Sequence, residues 1–197
     1  MIYLKEPMLY RITRPVITIL FNILFRPTYI GTSNIPKEGS FVLAGNHTSN
    51  LDCLLLISST KKTIHFLAKE ELVKGPKKIV FKNMGIIPVN RKIHDKDALK
   101  SAIYTLEQKR VIGIFPEGTI NKTNKAILPF KIGAVKMAHD TNSLLVPFTI
   151  TGTYKLFRKG ITLEFYQPYF IKDDLSIENE QLMDWISKEL IRKGDKF

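Results

Sequence analysis

Short apolar or β-branched runs alternate with longer amphipathic stretches along most of the chain. Segments 41–45, 63–68, 111–115, 144–150 and 161–166 have the length and composition of buried strands, and Thr28 to Gly31 offers one more. Segments 50–59, 76–83, 95–109, 131–140 and 179–193 read as helices. The last carries Leu182, Trp185, Ile186 and Leu190 at helical spacing, with Trp185 expected as a core anchor and Lys188, Arg192, Lys193 and Lys196 as a solvated face. Strands alternating with helices predict an α/β fold: a mostly parallel central sheet flanked by helices. Sites in such sheets gather beyond the carboxyl ends of the strands. His47, Lys69 and Glu117 each follow a strand candidate, so all three are expected at one rim.

The N-terminal stretch has a different pattern. Val16 to Phe25 is uncharged and nearly all apolar, bracketed by Arg14 and Arg26. It is shorter than the roughly 20 residues of an ordinary membrane span, and Arg26-Pro27 follow it where a signal peptide would have small residues. Pro15 suits a first helical turn. Arg11, Arg14, Thr18, Asn22 and Arg26 are spaced by three or four and form one narrow polar stripe on an otherwise apolar helix. From the residues alone this helix either packs into the core or lies in a bilayer interface with its arginines at anionic headgroups. The chain thus divides into a segment 1–27 and an α/β domain 28–197.

Composition narrows the class. A chain of 197 residues, 44% hydrophobic, suits a folded domain with a full core. The one cysteine, Cys53, excludes an intramolecular disulfide; it adjoins Asp52, but a small core residue is the simpler reading than a thiol nucleophile. Thirty basic residues against 18 acidic give a net charge of +12, which favours anionic partners. No zinc-finger spacing, RRM signature or compact Lys/Arg block is present, so nucleic acid is not the expected partner. Nor is there paired ligand spacing for a metal.

Candidate chemistry lies in Asn46-His47-Thr48-Ser49-Asn50-Leu51-Asp52, just beyond the apolar run Phe41-Val42-Leu43-Ala44. A helix starting near Leu51, capped by Ser49 or Asn50, would follow a turn that brings Asp52 back to the imidazole. Near a helix N-terminus Asp52 should stay ionised. An imidazole steadied by a carboxylate can take the proton of an attacking hydroxyl, and backbone N–H groups at the helix start offer oxyanion donors. Taken alone, the pair is more simply read with Asp52 as a helix cap and His47 as a packed or hydrogen-bonded turn residue; the blocks downstream reverse that.

Downstream stand Gly85-Ile86-Ile87-Pro88-Val89-Asn90-Arg91, then Phe115-Pro116-Glu117-Gly118-Thr119, then Val146-Pro147-Phe148. These blocks, with the His-x4-Asp segment before them, resemble the glycerolipid acyltransferase family and within it the lysophosphatidic acid acyltransferase branch, from about Tyr29 to Phe170. The resemblance implies direct transfer of a fatty acyl group from an acyl carrier protein or CoA thioester to 1-acylglycerol-3-phosphate, giving phosphatidic acid at the cytoplasmic face of a membrane. It implies His47 and Asp52 as the catalytic pair, and no cofactor beyond the acyl co-substrate. It also implies acceptor binding by Arg91, Glu117, Gly118, Thr119 and Lys69, with Lys131 a further candidate, and favours membrane contact for the N-terminal helix. As an acid, Glu117 is expected to orient a cation or a glycerol hydroxyl. Family members usually carry Arg after Glu-Gly-Thr, whereas this chain has Ile120. Lys122 or Lys125 is the available substitute, and another lysophospholipid or glycerol phosphate is the alternative acceptor. A thioesterase is the other reading among enzymes, and a non-catalytic basic protein docking on anionic membrane or nucleic acid is the reading from another class.

Overall fold

The computed structural model describes residues 8–73, 84–90, 96–172 and 174–194. In chain order the elements are α1 (Met8–Phe25), β1 (Thr28–Ile30), β2 (Phe41–Gly45), α2 (Asp52–Ser59), β3 (Ile64–Lys69), β4 (Ile87–Val89), α3 (Lys96–Glu107), β5 (Val111–Ile114), α4 (Gly133–Asp140), β6 (Leu144–Gly152), β7 (Ile161–Phe165) and α5 (Leu175–Arg192), with short 3-10 turns after β1 and β3. Among the described residues the strands form one sheet in the order β1-β7-β6-β2-β5-β3-β4. Only the β6–β7 pair is antiparallel. The α/β architecture with a mostly parallel sheet is therefore as the alternation of strands and helices predicts.

Strand β2 lies in the middle, paired with β5 on one side and β6 on the other. All five of its residues are buried, as a central parallel strand requires. Its side chains alternate between the two faces. Val42 and Ala44 join α3, α4 and α5 through Ala102, Leu106, Ala134, Leu182 and Ile186. Phe41 and Leu43 join α1 and α2 through Tyr10, Phe21, Leu55 and Leu56. The chain is thus a sheet between two helical layers.

Four details depart from the sequence reading. Strand β4, absent from the strand candidates, falls inside the block that starts at Gly85; it is an edge strand of the described sheet, where Pro88 is tolerated because its missing N–H faces no ladder partner. Helix α5 begins at Leu175, earlier than expected, because the Asp174 side chain accepts from the N–H groups of Ser176 and Ile177, both at 3.1 Å. Pro15 lies inside α1, not in its first turn. Lys193 is not on a solvated face: its ammonium donates to Glu164 (2.5 Å), Tyr166 (2.6 Å) and Thr149 (2.9 Å). The predicted helix 76–83 lies outside the described residues.

Helix α1 is docked on the domain by its polar stripe. Arg14 Nη1 donates to the Thr60 carbonyl at 2.7 Å, Asn22 Oδ1 accepts from the Tyr29 hydroxyl at 3.0 Å, and Tyr10 Oη accepts from the Ile64 N–H at 3.2 Å. Arg14, read from the sequence as a headgroup contact, is half-exposed and bonds the protein through one of its nitrogens. The outer face is the apolar one: Met8, Ile12, Val16, Ile19, Leu20 and Ile23 are each more than half exposed. These positions fall three or four apart, so they form a continuous stripe. By length and composition alone α1, with a mean hydropathy of 1.4, is long and apolar enough to cross a membrane.

Candidate active site

The end of β2 sets the site. A Cβ on Gly45 would fall 2.3 Å from the Phe148 carbonyl oxygen, so only glycine lets β2 lie this close to β6 there. The next residue, Asn46, prolongs the ladder with its side chain: Nδ2 donates to the Ile150 carbonyl and Oδ1 accepts from the Ile150 N–H, both at 2.8 Å. The main chain then leaves the sheet at His47. Its N–H donates to Glu117 Oε1 at 2.8 Å and its carbonyl accepts from Asn121 N at 2.9 Å. The imidazole stacks on the Phe115 ring, centroids 4.0 Å apart and planes 11° from parallel. Two backbone bonds and a ring face thus fix the imidazole before any partner touches its nitrogens.

Asp52, the first residue of α2, is fully buried. Its Oδ2 meets His47 Nδ1 at 2.8 Å and accepts from the N–H groups of Thr48 (2.7 Å) and Ser49 (2.9 Å). Its Oδ1 accepts from Thr48 Oγ1 (3.2 Å) and from the Tyr154 hydroxyl (2.6 Å). An ionised carboxylate only accepts, so Nδ1 carries the proton and Nε2 keeps its lone pair. The His47 side chain is 14% exposed, so this nitrogen belongs to a ring at the edge of solvent. Five donors and the helix N-terminus stabilise a buried negative charge that would otherwise be costly.

The predicted capping is replaced by this arrangement. Neither Ser49 nor Asn50 caps α2; Leu51 occupies the cap position with no side-chain bond. The turn's N–H groups are also committed, those of Thr48 and Ser49 to Asp52, that of Leu51 to Ser49 Oγ and that of Asp52 to the Ser49 carbonyl. The first two hold the carboxylate and the other two close the turn, so none of these four is free for an oxyanion.

Glu117 follows β5 and is buried. Its second oxygen accepts from Leu128 N at 2.8 Å, so it bridges the His47 turn and the loop 119–128, with backbone N–H groups as partners where a cation or hydroxyl was expected. Burial pushes its carboxyl above the usual range, against the lowering effect of these two bonds. Gly118 is left-handed (φ +70), and a Cβ there would lie 3.1 Å from Lys131 Nζ, so the lysine amine folds over a bare stretch of backbone. Thr119 and Lys69 are exposed. Lys69 ends β3 and Asn46 follows β2, and both strands run parallel to β5, so the two residues lie toward the same carboxyl end of the sheet. Loop 119–128 is knotted by Asn121, whose Oδ1 accepts from Thr123 N (2.9 Å) and whose Nδ2 donates to the Lys125 carbonyl (2.8 Å). Lys122 and Lys125 are exposed on it. Arg91 lies outside the described residues.

Sequence reasoning missed Tyr154 and Phe115. Tyr154 follows β6, as His47 follows β2, so its place beyond a strand end at the same rim was the available signal. Burial, then the charge of Asp52, raises its phenol well above the ordinary value and keeps it a donor. Cys53 is partly buried, and burial first and Asp52 second push its thiol up to about 12, which removes it as a nucleophile.

Comparison with known proteins gives the family. Residues 26–151 match the family model described as Acyltransferase. The 1-acyl-sn-glycerol-3-phosphate acyltransferase of Borreliella burgdorferi is 34% identical over 83% of this chain and 69% of its own length. The Bacillus subtilis protein of the same name is 33% identical over 64% of this chain and 65% of its own. A crystal structure of the 1-acyl-sn-glycerophosphate acyltransferase of Thermotoga maritima superposes with a TM-score of 0.75, at 24% identity, over 96% of this chain and 80% of that one. That likeness is one of fold.

Proposed function

The chain belongs to the acyltransferase family, and from that premise we propose that it transfers a fatty acyl group from a thioester to the free hydroxyl of 1-acylglycerol-3-phosphate, giving phosphatidic acid. The observation that carries the reading is the contact of His47 Nδ1 with the buried Asp52 carboxylate at 2.8 Å. With the proton held at Nδ1, Nε2 takes the hydroxyl proton as the oxygen attacks the thioester carbonyl. The tetrahedral intermediate collapses with breakage of the C–S bond, and the leaving thiolate recovers that proton from the imidazolium. Asp52 fixes the tautomer and stabilises the imidazolium. The acceptor hydroxyl is itself the nucleophile, so no acyl-enzyme forms.

The acceptor's phosphate needs fixed cations. Lys131 over Gly118 and Lys69 at the end of β3 supply two, with Thr119 and Arg91 added as the family resemblance implies. Glu117 serves this site by shaping it, through the backbone of His47 and Leu128. Ile120 in place of the family's arginine favours, as the second reading, a related lysophospholipid or glycerol phosphate acceptor. Acyl carrier protein or CoA is the donor. The outward apolar stripe of α1 supports work at an anionic membrane surface, at its cytoplasmic face, with segment 1–27 as the contact element and 28–197 as the catalytic domain.

Incubation with a labelled acyl thioester, with and without lysophosphatidic acid, tests this. Phosphatidic acid is the expected product; free fatty acid formed equally without acceptor would indicate a thioesterase, and no product a binding protein. His47→Ala should lower the rate by about 10²–10⁴ with an unchanged circular dichroism spectrum. A variant retaining about a tenth of the activity would remove His47 from the role of base.

A further inference from the structure

Between β6 and β7 the loop 153–160 runs Thr-Tyr-Lys-Leu-Phe-Arg-Lys-Gly. Its base is closed by Thr153 N donating to the Gly160 carbonyl at 2.8 Å, and Tyr154 turns inward to Asp52. Its tip does the opposite. Leu156 is 61% and Phe157 57% exposed, and Phe157 has φ 58, a left-handed conformation that bulky residues rarely adopt. The Phe157 N–H is tied to the Leu24 carbonyl of α1 at 2.5 Å. A joint between two antiparallel strands needs none of this; such strain, held in place by a contact from another element, points to a function. The tie also sets the tip beside Ile23, the last residue of the outward apolar stripe on α1. Lys155, Arg158, Lys159 and, at the end of α1, Arg26 are all exposed, and the loop contains no acid.

We propose that loop 153–160 is a second membrane-contact element, in which Leu156 and Phe157 enter the acyl region of a bilayer while Lys155, Arg158, Lys159 and Arg26 meet its anionic headgroups. Apolar tips ringed by cations suit an anionic phospholipid surface better than a protein partner, because the hydrocarbon takes two adjacent large side chains without a shaped pocket. The proposal rests on the membrane reading of α1 and extends its footprint to the loop whose first turn bears on Asp52. Lipid contact and the catalytic pair then share one short segment.

The test is co-sedimentation of the full chain with phosphatidylcholine vesicles, with and without phosphatidylglycerol. Leu156→Ser combined with Phe157→Gly should lower partitioning by about tenfold or more, while the thermal midpoint holds or rises, since glycine relieves the left-handed position. Glutamine at Lys155, Arg158 and Lys159 should remove most of the dependence on phosphatidylglycerol. If wild type binds vesicles and the double variant binds equally well, the loop proposal fails and the α1 reading stands. If wild type itself stays in the supernatant, the membrane reading falls first. Normal partitioning with lost transfer from carrier-protein thioesters would make the loop a donor-docking surface and overturn the proposal.

Discussion

The Tyr154 hydroxyl donates to Asp52 Oδ1 at 2.6 Å, opposite the carboxylate oxygen that holds His47. The phenol ring is set by α1, its centroid 5.5 Å from that of Phe25 and 6.1 Å from that of Phe21, both edge-on. The N-terminal helix therefore bears on the Asp52 carboxylate through one tyrosine. In the proposed mechanism Tyr154 is a positioning residue that acts through Asp52.

Tyr154→Phe keeps the ring packing and deletes this one hydrogen bond. A bond to a charged group is worth about 1.5–3 kcal/mol, and urea denaturation should register a loss of that size. In kinetics, kcat should fall while KM for both substrates holds. With one donor fewer, the carboxylate holds the imidazolium more strongly, so the acid limb of the pH–rate profile should move to higher pH. A lower thermal midpoint with an unmoved profile would leave Tyr154 a packing residue only.

Glu117 gives a pH dependence of stability. Its carboxyl is raised above its ordinary 4.5 by burial, so the folded state holds that proton more tightly than the unfolded state does. The stability it contributes is full below 4.5 and is lost as pH rises through the raised folded value. Glu117→Gln cannot ionise, and its NH2 would face one of the two N–H donors, from His47 or Leu128, at a cost of about 1–3 kcal/mol. Urea melts across this range should show the wild-type advantage over Glu117→Gln shrinking as pH rises. A constant difference would mean that the carboxyl titrates alike in both states.

Much of this arrangement was legible in the sequence because it depends on local patterning. Buried strands such as 41–45 announce themselves by composition, and the His-x4-Asp spacing needs only a turn and the start of a helix. What escaped depends on tertiary partners. Tyr154 reaches Asp52 across 102 positions, and its place after a strand end marks the rim but not the partner. Lys193 looked like a surface charge because its partner Glu164 lies on another element. Glu117 was read by its charge, whereas its position is set by two distant backbone N–H groups. The middle of the polar stripe of α1 faces the protein: Arg14 and Asn22 find an acceptor and a donor on the domain, while Arg11 and Arg26 at its ends are exposed and the apolar side lies outward, an orientation that periodicity alone cannot assign.

Ile120 is the departure on which acceptor identity turns. It is half-buried, next to the exposed Thr119, on a loop whose next residue, Asn121, donates to the His47 carbonyl. An arginine here would start from a backbone held against the catalytic turn and would bring a planar fork suited to phosphate oxygens, which the point charges of Lys122 and Lys125 lack. Ile120→Arg should therefore lower KM for lysophosphatidic acid by about tenfold, equivalent to about 1.4 kcal/mol, with kcat unchanged. In the wild-type background, Lys122→Ala with Lys125→Ala should raise the same KM; in the Ile120→Arg background the effect should shrink, because the fork then carries the phosphate. If neither change moves KM for lysophosphatidic acid, while an acceptor without a terminal phosphate monoester is used as well, the phosphate is not read by this loop and the acceptor is another lysophospholipid.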